Sequence, residues 1–140
     1  MTGSLDLRLV NDLAEIPRLA ETVEELFDAQ GLPPKLAFNF NLALDELLTN
    51  VISYAFEPGT AHEIAVRLTV ADGQVTAELE DDGPAFDPLT EAQAPVLDGD
   101  IDDRPIGGLG IHFVKTMMDR VHYERRDGRN RLTLSKRADA

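Results

Sequence analysis

Alternating apolar and polar residues predict five β-strands. Leu5, Leu7 and Leu9 alternate with polar residues, which is the period of a half-buried strand. Two more alternating runs flank Asp72–Gly73, a dipeptide that favours the tight turn of a β-hairpin. The last two runs flank a turn near Asp127–Asn130, so a second hairpin is expected close to the end of the sequence.

Apolar residues with a spacing of three to four predict three helices. The first occupies residues 15–31, where Pro17 suits the first turn and Gly31 suits the C-terminal stop. The second is expected from Pro33–Pro34 to about Phe56, and the third from about Gly108 to Asp119.

The order of these elements predicts an α+β fold. Residues between Asp87 and Arg104 show no period and read as a loop, which gives the order β-α-α-β-β-loop-α-β-β. Because most neighbouring strands are joined by hairpins, the sheet should be mixed but mostly antiparallel. Three helices should cover one of its faces in a two-layer sandwich. The length of 140 residues favours a single domain, 1–140.

Composition and charge narrow the possible functions. The net charge of −13 argues against nucleic-acid binding, which needs a basic surface. There is no cysteine and therefore no disulfide or thiolate metal site. No apolar run is long enough to span a membrane, and the first residues lack a secretory-signal pattern, so a cytoplasmic protein is expected.

A polar stripe on the second predicted helix is the first candidate site. At helical spacing, Asn39, Glu46, Asn50 and Ser53 fall together at one border of the apolar face. Glu46 and Asn50 are adjacent because they are four residues apart. A carboxylate can accept a proton, and an amide oxygen suits Mg²⁺. A solvated helix edge is the alternative interpretation.

Two glycine-containing segments supply further candidate chemistry. In "LEDDGPAFDP", Asp81 ends a predicted strand and Gly83 follows, so a carboxylate and a bare backbone could meet a flat base. In "RPIGGLGIHF", glycines open the third predicted helix, where backbone N–H groups and the helix dipole favour an anion such as phosphate. An ordinary turn and close helix packing are the respective alternatives.

Taken together, these segments resemble the GHKL ATPase superfamily, and within it the stand-alone anti-sigma-factor serine kinases of bacteria. "LALDELLTNVISYAF" is similar to that family's N box, with Glu46 and Asn50 in its two key places. "DDGPAFDP" resembles its first glycine box, and "IGGLGIHFVKTMMD" resembles its second. The implied structure is the GHKL, or Bergerat, ATP-binding fold.

The resemblance implies a role for each candidate residue. Glu46 would be the general base for an incoming serine or threonine hydroxyl, and Asn50 would bind the Mg²⁺ that accompanies ATP. Asp81 and Gly83 would receive the adenine, with Thr133 in a supporting role, and residues 88–106 would form the ATP lid. The phosphates would meet the backbone of the second glycine box and the basic side chain before it, that is Arg104, Gly107, Gly108, Leu109 and Gly110.

The resemblance leaves two functions open. The first is a serine/threonine-protein kinase that acts as an anti-sigma factor and phosphorylates an antagonist protein. The second is a module that binds ATP or ADP and sequesters a partner without phosphotransfer. A sigma factor, an antagonist protein or both are the implied partners, and members of the family often form homodimers. Two departures are Ala85, where many members have glycine, and the acidic segment "LDGDIDDRP".

Overall fold

The computed structural model describes residues 3–56, 59–91 and 108–138. Its sheet contains five strands, and four α-helices and one π-helical segment accompany them. In chain order, the elements are β1 (Gly3–Val10), α1 (Glu15–Ala29), α2 (Pro34–Asn50), the π-helical segment (Val51–Ala55), β2 (Glu63–Ala71), β3 (Gln74–Asp81), α3 (Pro88–Glu91), α4 (Gly108–Met117), β4 (Arg120–Arg126) and β5 (Arg129–Arg137).

The sheet has the strand order β1-β2-β3-β5-β4. Every neighbouring pair of these described strands is antiparallel, so the sheet contains no parallel pair in the part of the chain that the structure covers. Both predicted hairpins are present. Their turns place Asp72 and Gly73 at φ 55° and 73°, and Asp127 and Gly128 at φ 53° and 74°. Two consecutive residues with positive φ are typical of the tight turn that matches strand twist.

Alternation along the strands produces the two predicted layers. In β2 and β3, every second residue is buried and faces the helices. The opposite face carries charged pairs such as Arg67–Asp6 and Arg131–Glu80. The apolar core lies between this sheet and the helices. Its largest fully buried side chains are Phe27, Phe40, Leu9, Leu19, Leu36, Leu44, Leu47, Leu48, Ile64, Leu68, Leu134 and Val23. The predicted α+β two-layer sandwich is confirmed.

The second predicted helix changes its geometry before it ends. The α-helix stops at Asn50, and Val51–Ala55 continue as a π-helix, in which each turn holds more residues. Phe56 then leaves the helix with extended backbone, and its side chain is buried. The described helices include none with the length and apolarity that a membrane crossing requires.

The segment predicted as a loop after Asp87 contains a short helix. Pro88–Glu91 form a one-turn helix, with the Asp87 carboxylate accepting a hydrogen bond from the Leu89 N–H at 2.9 Å. Lys115 Nζ of α4 donates to the Leu89 carbonyl at 3.0 Å, which ties this turn to the helical layer. Residues 92–107, which include Arg104 and Gly107, lie outside the described residues.

Candidate nucleotide-binding site

Glu46 and Gly110 lie in direct contact where α2 meets α4. A Cβ atom placed on Gly110 would stand 1.9 Å from the carboxyl carbon of Glu46 and 1.9 Å from its Oε2. Real side chains never approach so closely, so the Glu46 carboxylate fills the space that any other residue at 110 would need. A side chain at position 110 would therefore require the end of the Glu46 side chain to move.

The environment of Glu46 favours its protonated form. Partial burial raises the pKa of the Glu46 carboxyl above its ordinary value, and the neighbouring Asp45 charge raises it further. Burial acts in this direction because a carboxylate loses hydration when it leaves water. A carboxylate with a raised pKa is a stronger base, which suits it to accept a proton from an attacking hydroxyl.

Asn50, one helical turn after Glu46, has an unpaired buried oxygen. Its side chain is buried, and its Nδ2 donates to the Glu46 backbone carbonyl at 2.7 Å. Its Oδ1 accepts no hydrogen bond from any residue that the structure describes. A buried acceptor without a partner costs free energy, so such groups usually have a ligand or water. A neutral amide oxygen held in a fixed direction fits Mg²⁺, which prefers hard oxygen ligands.

The Asp81–Gly83 turn is fixed by hydrogen bonds and by an aromatic ring. Asp81 lies at the end of β3 on the helix-covered face, opposite Ile64 of β2, and its side chain is buried. Its Oδ1 accepts hydrogen bonds from Gly83 N and from Asn130 Nδ2, each at 2.9 Å. A Cβ atom on Gly83 would meet Phe56 Cε1 at 2.7 Å, so Gly83 is required by the ring that follows the π-helical segment.

A histidine ring stacks on Phe56. The His62 and Phe56 rings stack with their centroids 4.6 Å apart. His62 Nδ1 lies 3.0 Å from Asp82 Oδ1, and this hydrogen bond to His62 lowers the pKa of the Asp82 carboxyl. The segment from Asp81 to Gly83 is thus fixed by the hydrogen bonds of Asp81 and by the contact between Asp82 and His62.

Asn130 is a candidate site residue that sequence reasoning missed. The sequence pattern places Asn130 only in the second hairpin turn, but its buried side chain contacts Asp81 and the turn that follows Asp81. A signal did exist in the sequence. Asn130, Leu132 and Leu134 alternate along β5 toward the helices, so an amide occupies an inward position beside two leucines.

Comparison with known proteins identifies the fold family. Residues 9–136 match the family of histidine kinase-like ATPase domains. The chain belongs to this family. The match extends over nearly the whole sequence and includes every described element of the candidate site, so the family predicted from the three motifs is confirmed.

Relatives of this ATPase domain include named protein kinases. It is 40% identical over 103 residues to the serine/threonine-protein kinase BtrW of Bordetella bronchiseptica, in an alignment that spans 72% of this chain and 70% of BtrW. It is 31% identical over 100 residues to the serine-protein kinase RsbW of Listeria monocytogenes, spanning 65% of this chain and 64% of that protein. The chain thus spans roughly two thirds of the length of these curated relatives.

Solved structures share the fold of the ATPase domain. The RsbU and RsbW domains of Rv1364c from Mycobacterium tuberculosis align with a TM-score of 0.69 and 15% identity over 96% of this chain and 32% of that one. The SiaB–SiaC complex from Pseudomonas aeruginosa aligns with a TM-score of 0.55 and 18% identity over 94% and 88% of the two chains. At these identities the comparison shows a common fold.

The structure of the ATPase domain brings most of the predicted site residues to α2, the start of α4 and the end of β3. Gly108, Leu109 and Gly110 form the first turn of α4, where backbone N–H groups have no acceptor within the helix. Thr133 lies elsewhere, because it pairs with Glu78 on the open face of the sheet. Asn130, an odd number of residues away, faces Asp81 instead.

Proposed function

We propose that this ATPase domain, residues 1–140, binds ATP and transfers its γ-phosphate to a serine or threonine of a partner protein. The observation that carries the proposal is the unpaired, buried Oδ1 of Asn50, one helical turn from the raised-pKa carboxyl of Glu46. A metal ligand beside a base is the pair that phosphoryl transfer to a hydroxyl needs. The kinase names of the relatives support the same activity.

Asn50 would hold the metal ion through its Oδ1. When bound, Mg²⁺ neutralises negative charge that develops on the phosphate oxygens. The bond from Asn50 Nδ2 to the Glu46 carbonyl fixes the side-chain amide, so that the oxygen keeps one direction. Because an amide is neutral, it binds a cation without adding charge that would repel the triphosphate.

The first turn of α4 would bind the phosphates. Its first N–H groups, on Gly108, Leu109 and Gly110, have no acceptor within the helix, and together with the positive end of the helix dipole they favour an anion. We propose that Gly107 and Arg104 also contact the phosphates. We propose that residues 88–106 form the ATP lid. The structure describes residues 88–91 of this segment, which form a helical turn.

Glu46 would remove the proton from the attacking hydroxyl. Partial burial and Asp45 raise the pKa of Glu46, which increases its affinity for that proton. The absence of a side chain on Gly110 leaves room for the carboxylate at the start of α4, beside the proposed phosphate position. The hydroxyl oxygen then attacks the γ-phosphorus, and the bond to the leaving β-phosphate oxygen breaks.

Asp81 and Gly83 would receive the adenine. An Asp81 oxygen would accept a hydrogen bond from the exocyclic amine, and the absent side chain of Gly83 would let the base lie close to the backbone. Thr133, proposed from the sequence as a supporting residue, would have to act through the sheet, since it lies on the other face.

The proposed partners are proteins of a bacterial regulatory system. A small antagonist protein would carry the phosphorylated residue, and a sigma factor would be bound in turn, with ATP and ADP setting which partner is preferred. The net charge of −13 supports protein over nucleic-acid partners. We also propose that the protein forms a homodimer and that it is located in the cytoplasm.

The test measures nucleotide affinity and phosphate transfer in matched variants. Radiolabelled ATP is incubated with the protein and with a partner captured from the native cell, with and without Mg²⁺. We expect Glu46→Gln to keep ATP affinity and lose transfer by roughly 10²–10⁴, the usual contribution of a general base. Asn50→Ala should lose the magnesium-dependent part of the affinity as well as transfer.

Asn41→Ala is the control for this experiment. Asn41 lies on the same helix and its Nδ2 donates to the Ala20 carbonyl at 3.3 Å, so the variant removes an amide from α2 outside the proposed site. It should behave like wild type. ATP binding without transfer to any captured partner would instead favour the alternative function, a nucleotide-dependent sequestering module. Full transfer by Glu46→Gln would exclude Glu46 as the base.

A further inference from the structure

Asn130 is a buried side chain with every hydrogen-bonding group in use. Its Nδ2 donates to Asp81 Oδ1 at 2.9 Å and to the Pro84 carbonyl at 2.8 Å, with the Gly83 carbonyl at 3.4 Å. Its Oδ1 accepts hydrogen bonds from Phe86 N at 3.2 Å and from the Tyr123 hydroxyl. One amide therefore joins β5 and β4 to the whole turn from Asp81 to Phe86.

These partners allow one orientation of the amide. The backbone N–H of Phe86 can only donate, so it requires the oxygen of Asn130. The carbonyls of Gly83 and Pro84 can only accept, so they require the nitrogen. Exchanging the oxygen and the nitrogen would break all of these bonds at once. The Asn130 N–H group that faces Asp81 is thus fixed by groups on other parts of the chain.

The contact leaves the two Asp81 oxygens with different roles. Oδ1 accepts from both Gly83 N and Asn130 Nδ2. No residue in the described parts of the chain donates a hydrogen bond to Oδ2. Because rotation of the carboxylate would break two bonds to Oδ1, the direction of Oδ2 is fixed before any ligand arrives.

We propose that Asn130 is a positioning residue for base recognition, which orients the Asp81 carboxylate so that Oδ2 meets an exocyclic amine. This inference depends on the proposed function, in which Asp81 receives adenine. A purine with an oxygen in place of the amine would bring a second acceptor against Oδ2 and be rejected. That rejection requires a carboxylate that cannot turn away, and Asn130 supplies this constraint.

The test compares two triphosphates that differ at the contact with Asp81. Calorimetry gives the Kd of ATP and of purine riboside triphosphate, which lacks the 6-amine, for wild type and for Asn130→Asp and Asn130→Ser. Wild type should prefer ATP roughly tenfold or more, as expected for a hydrogen bond to a charged group. Asn130→Asp sets an acceptor against Asp81 and should lose most of that preference, while its affinity for the purine analogue stays near wild type.

Two further variants complete the design. Tyr123→Phe removes a donor to Asn130 Oδ1 without touching Asp81, and it should reduce the ATP preference in the same direction by a smaller factor. If Asn130→Asp fails to fold, the Tyr123→Phe variant still tests the inference. Asn41→Asp is the matched control, since it makes the same chemical change in an amide between α1 and α2. It should leave both affinities unchanged.

The outcomes separate the inference from the proposed function. If wild type binds both triphosphates equally, Asp81 does not receive the amine, and the adenine contact and the inference are both wrong. If wild type prefers ATP and the Asn130 variants keep that preference, the positioning role alone is wrong. Equal loss of affinity for both triphosphates would show that Asn130 only stabilises the fold.

Discussion

At the scale of single residues, one carboxylate and one glycine share a small space between two helices. The side chain of Glu46 occupies the volume that a Cβ atom on Gly110 would need. This arrangement links the proposed base to the proposed phosphate-binding turn.

We expect Gly110→Ala to abolish phosphotransfer with only a small loss of stability. The added methyl group must displace the Glu46 carboxylate from the start of α4, and this carboxylate can move because it ends a flexible, partly exposed side chain. Chemical denaturation measures the loss in unfolding free energy, and radiolabel transfer measures activity.

A double-mutant cycle is the control for this prediction. In a Glu46→Ala background the obstructing carboxylate is absent, so the further change Gly110→Ala should have little effect on stability or on transfer. An equal cost in both backgrounds would show that the glycine is needed for another reason, such as the backbone at the start of α4.

The raised pKa of Glu46 predicts a pH-dependent effect of Glu46→Gln on stability. When the pKa of a carboxyl group is higher in the folded state than in the unfolded state, the group stabilises the fold at low pH. This stabilisation is lost as the pH rises through the folded-state pKa. The uncharged glutamine avoids this loss. Glu46→Gln should therefore unfold at a higher temperature than wild type at neutral pH, and the difference should shrink below about pH 4.

Thermal unfolding across this pH range measures the difference between the two proteins. Asp45→Asn provides a comparison, because removing the adjacent charge removes one cause of the raised Glu46 pKa. In that background the gain from Glu46→Gln should be smaller. A gain that is constant from acid to neutral pH would contradict the assignment.

At the scale of elements, glycines serve two distinct purposes. Gly73 in the β2–β3 turn has φ 73°, and no atom lies within 4 Å of the position of an added Cβ. Gly83 after β3 faces the Phe56 ring at 2.7 Å from that position. The first glycine is required by backbone conformation, and the second by a neighbouring side chain.

We expect Gly73→Ala to cost stability without affecting the site. An L-residue at this φ costs roughly 1–2 kcal/mol, and the hairpin turn lies at the opposite end of β3 from Asp81. Denaturant unfolding should show the loss, and calorimetry should show an unchanged ATP affinity. A change in ATP affinity would mean that the hairpin is coupled to the site.

We expect Gly83→Ala to reduce ATP affinity as well as stability. The new methyl group must move Phe56, and it would also stand 3.1 Å from Asp81 Oδ1, so the carboxylate proposed to bind adenine would shift. Denaturant unfolding measures the stability of this variant, and calorimetry measures its ATP affinity. Combining the change with Phe56→Leu should restore part of the stability, because the smaller side chain relieves the contact.

At the scale of the whole molecule, charge repulsion competes with ion pairs. The net charge is −13, and ion pairs such as Arg67–Asp6 are largely exposed, with 61% and 68% of the two side chains accessible. Exposed pairs contribute little to stability, while a high net charge disfavours the compact state. Repulsion should therefore dominate the response to salt.

We expect the melting temperature to rise as NaCl increases from about 10 mM to about 150 mM, because salt screens charges beyond the Debye length. Differential scanning calorimetry measures the change. The rise should diminish near the isoelectric point of about 4.4, where the net charge approaches zero. A melting temperature that falls with added salt at neutral pH would mean that ion pairs stabilise this protein more than repulsion destabilises it.

The sequence by itself determined the five strands, the three longer helices and the family. Strand and helix periods are local properties, and both Asp-Gly turns could be predicted because positive φ at two consecutive positions favours these residues. Glu46, Asn50, Asp81 and the glycines could be proposed as site residues because they occur in contiguous motifs.

The tertiary structure alone decided which of these residues meet. Asn130 contacts Asp81 across 49 positions of sequence, because the register of β5 on β3 sets the two opposite each other. The same register places Thr133 on the open face, since side chains alternate along a strand. Likewise, only the packing of α4 on α2 brings Gly110 to Glu46. Local periods give the face of an element that is buried, whereas contacts between distant segments depend on how those faces align.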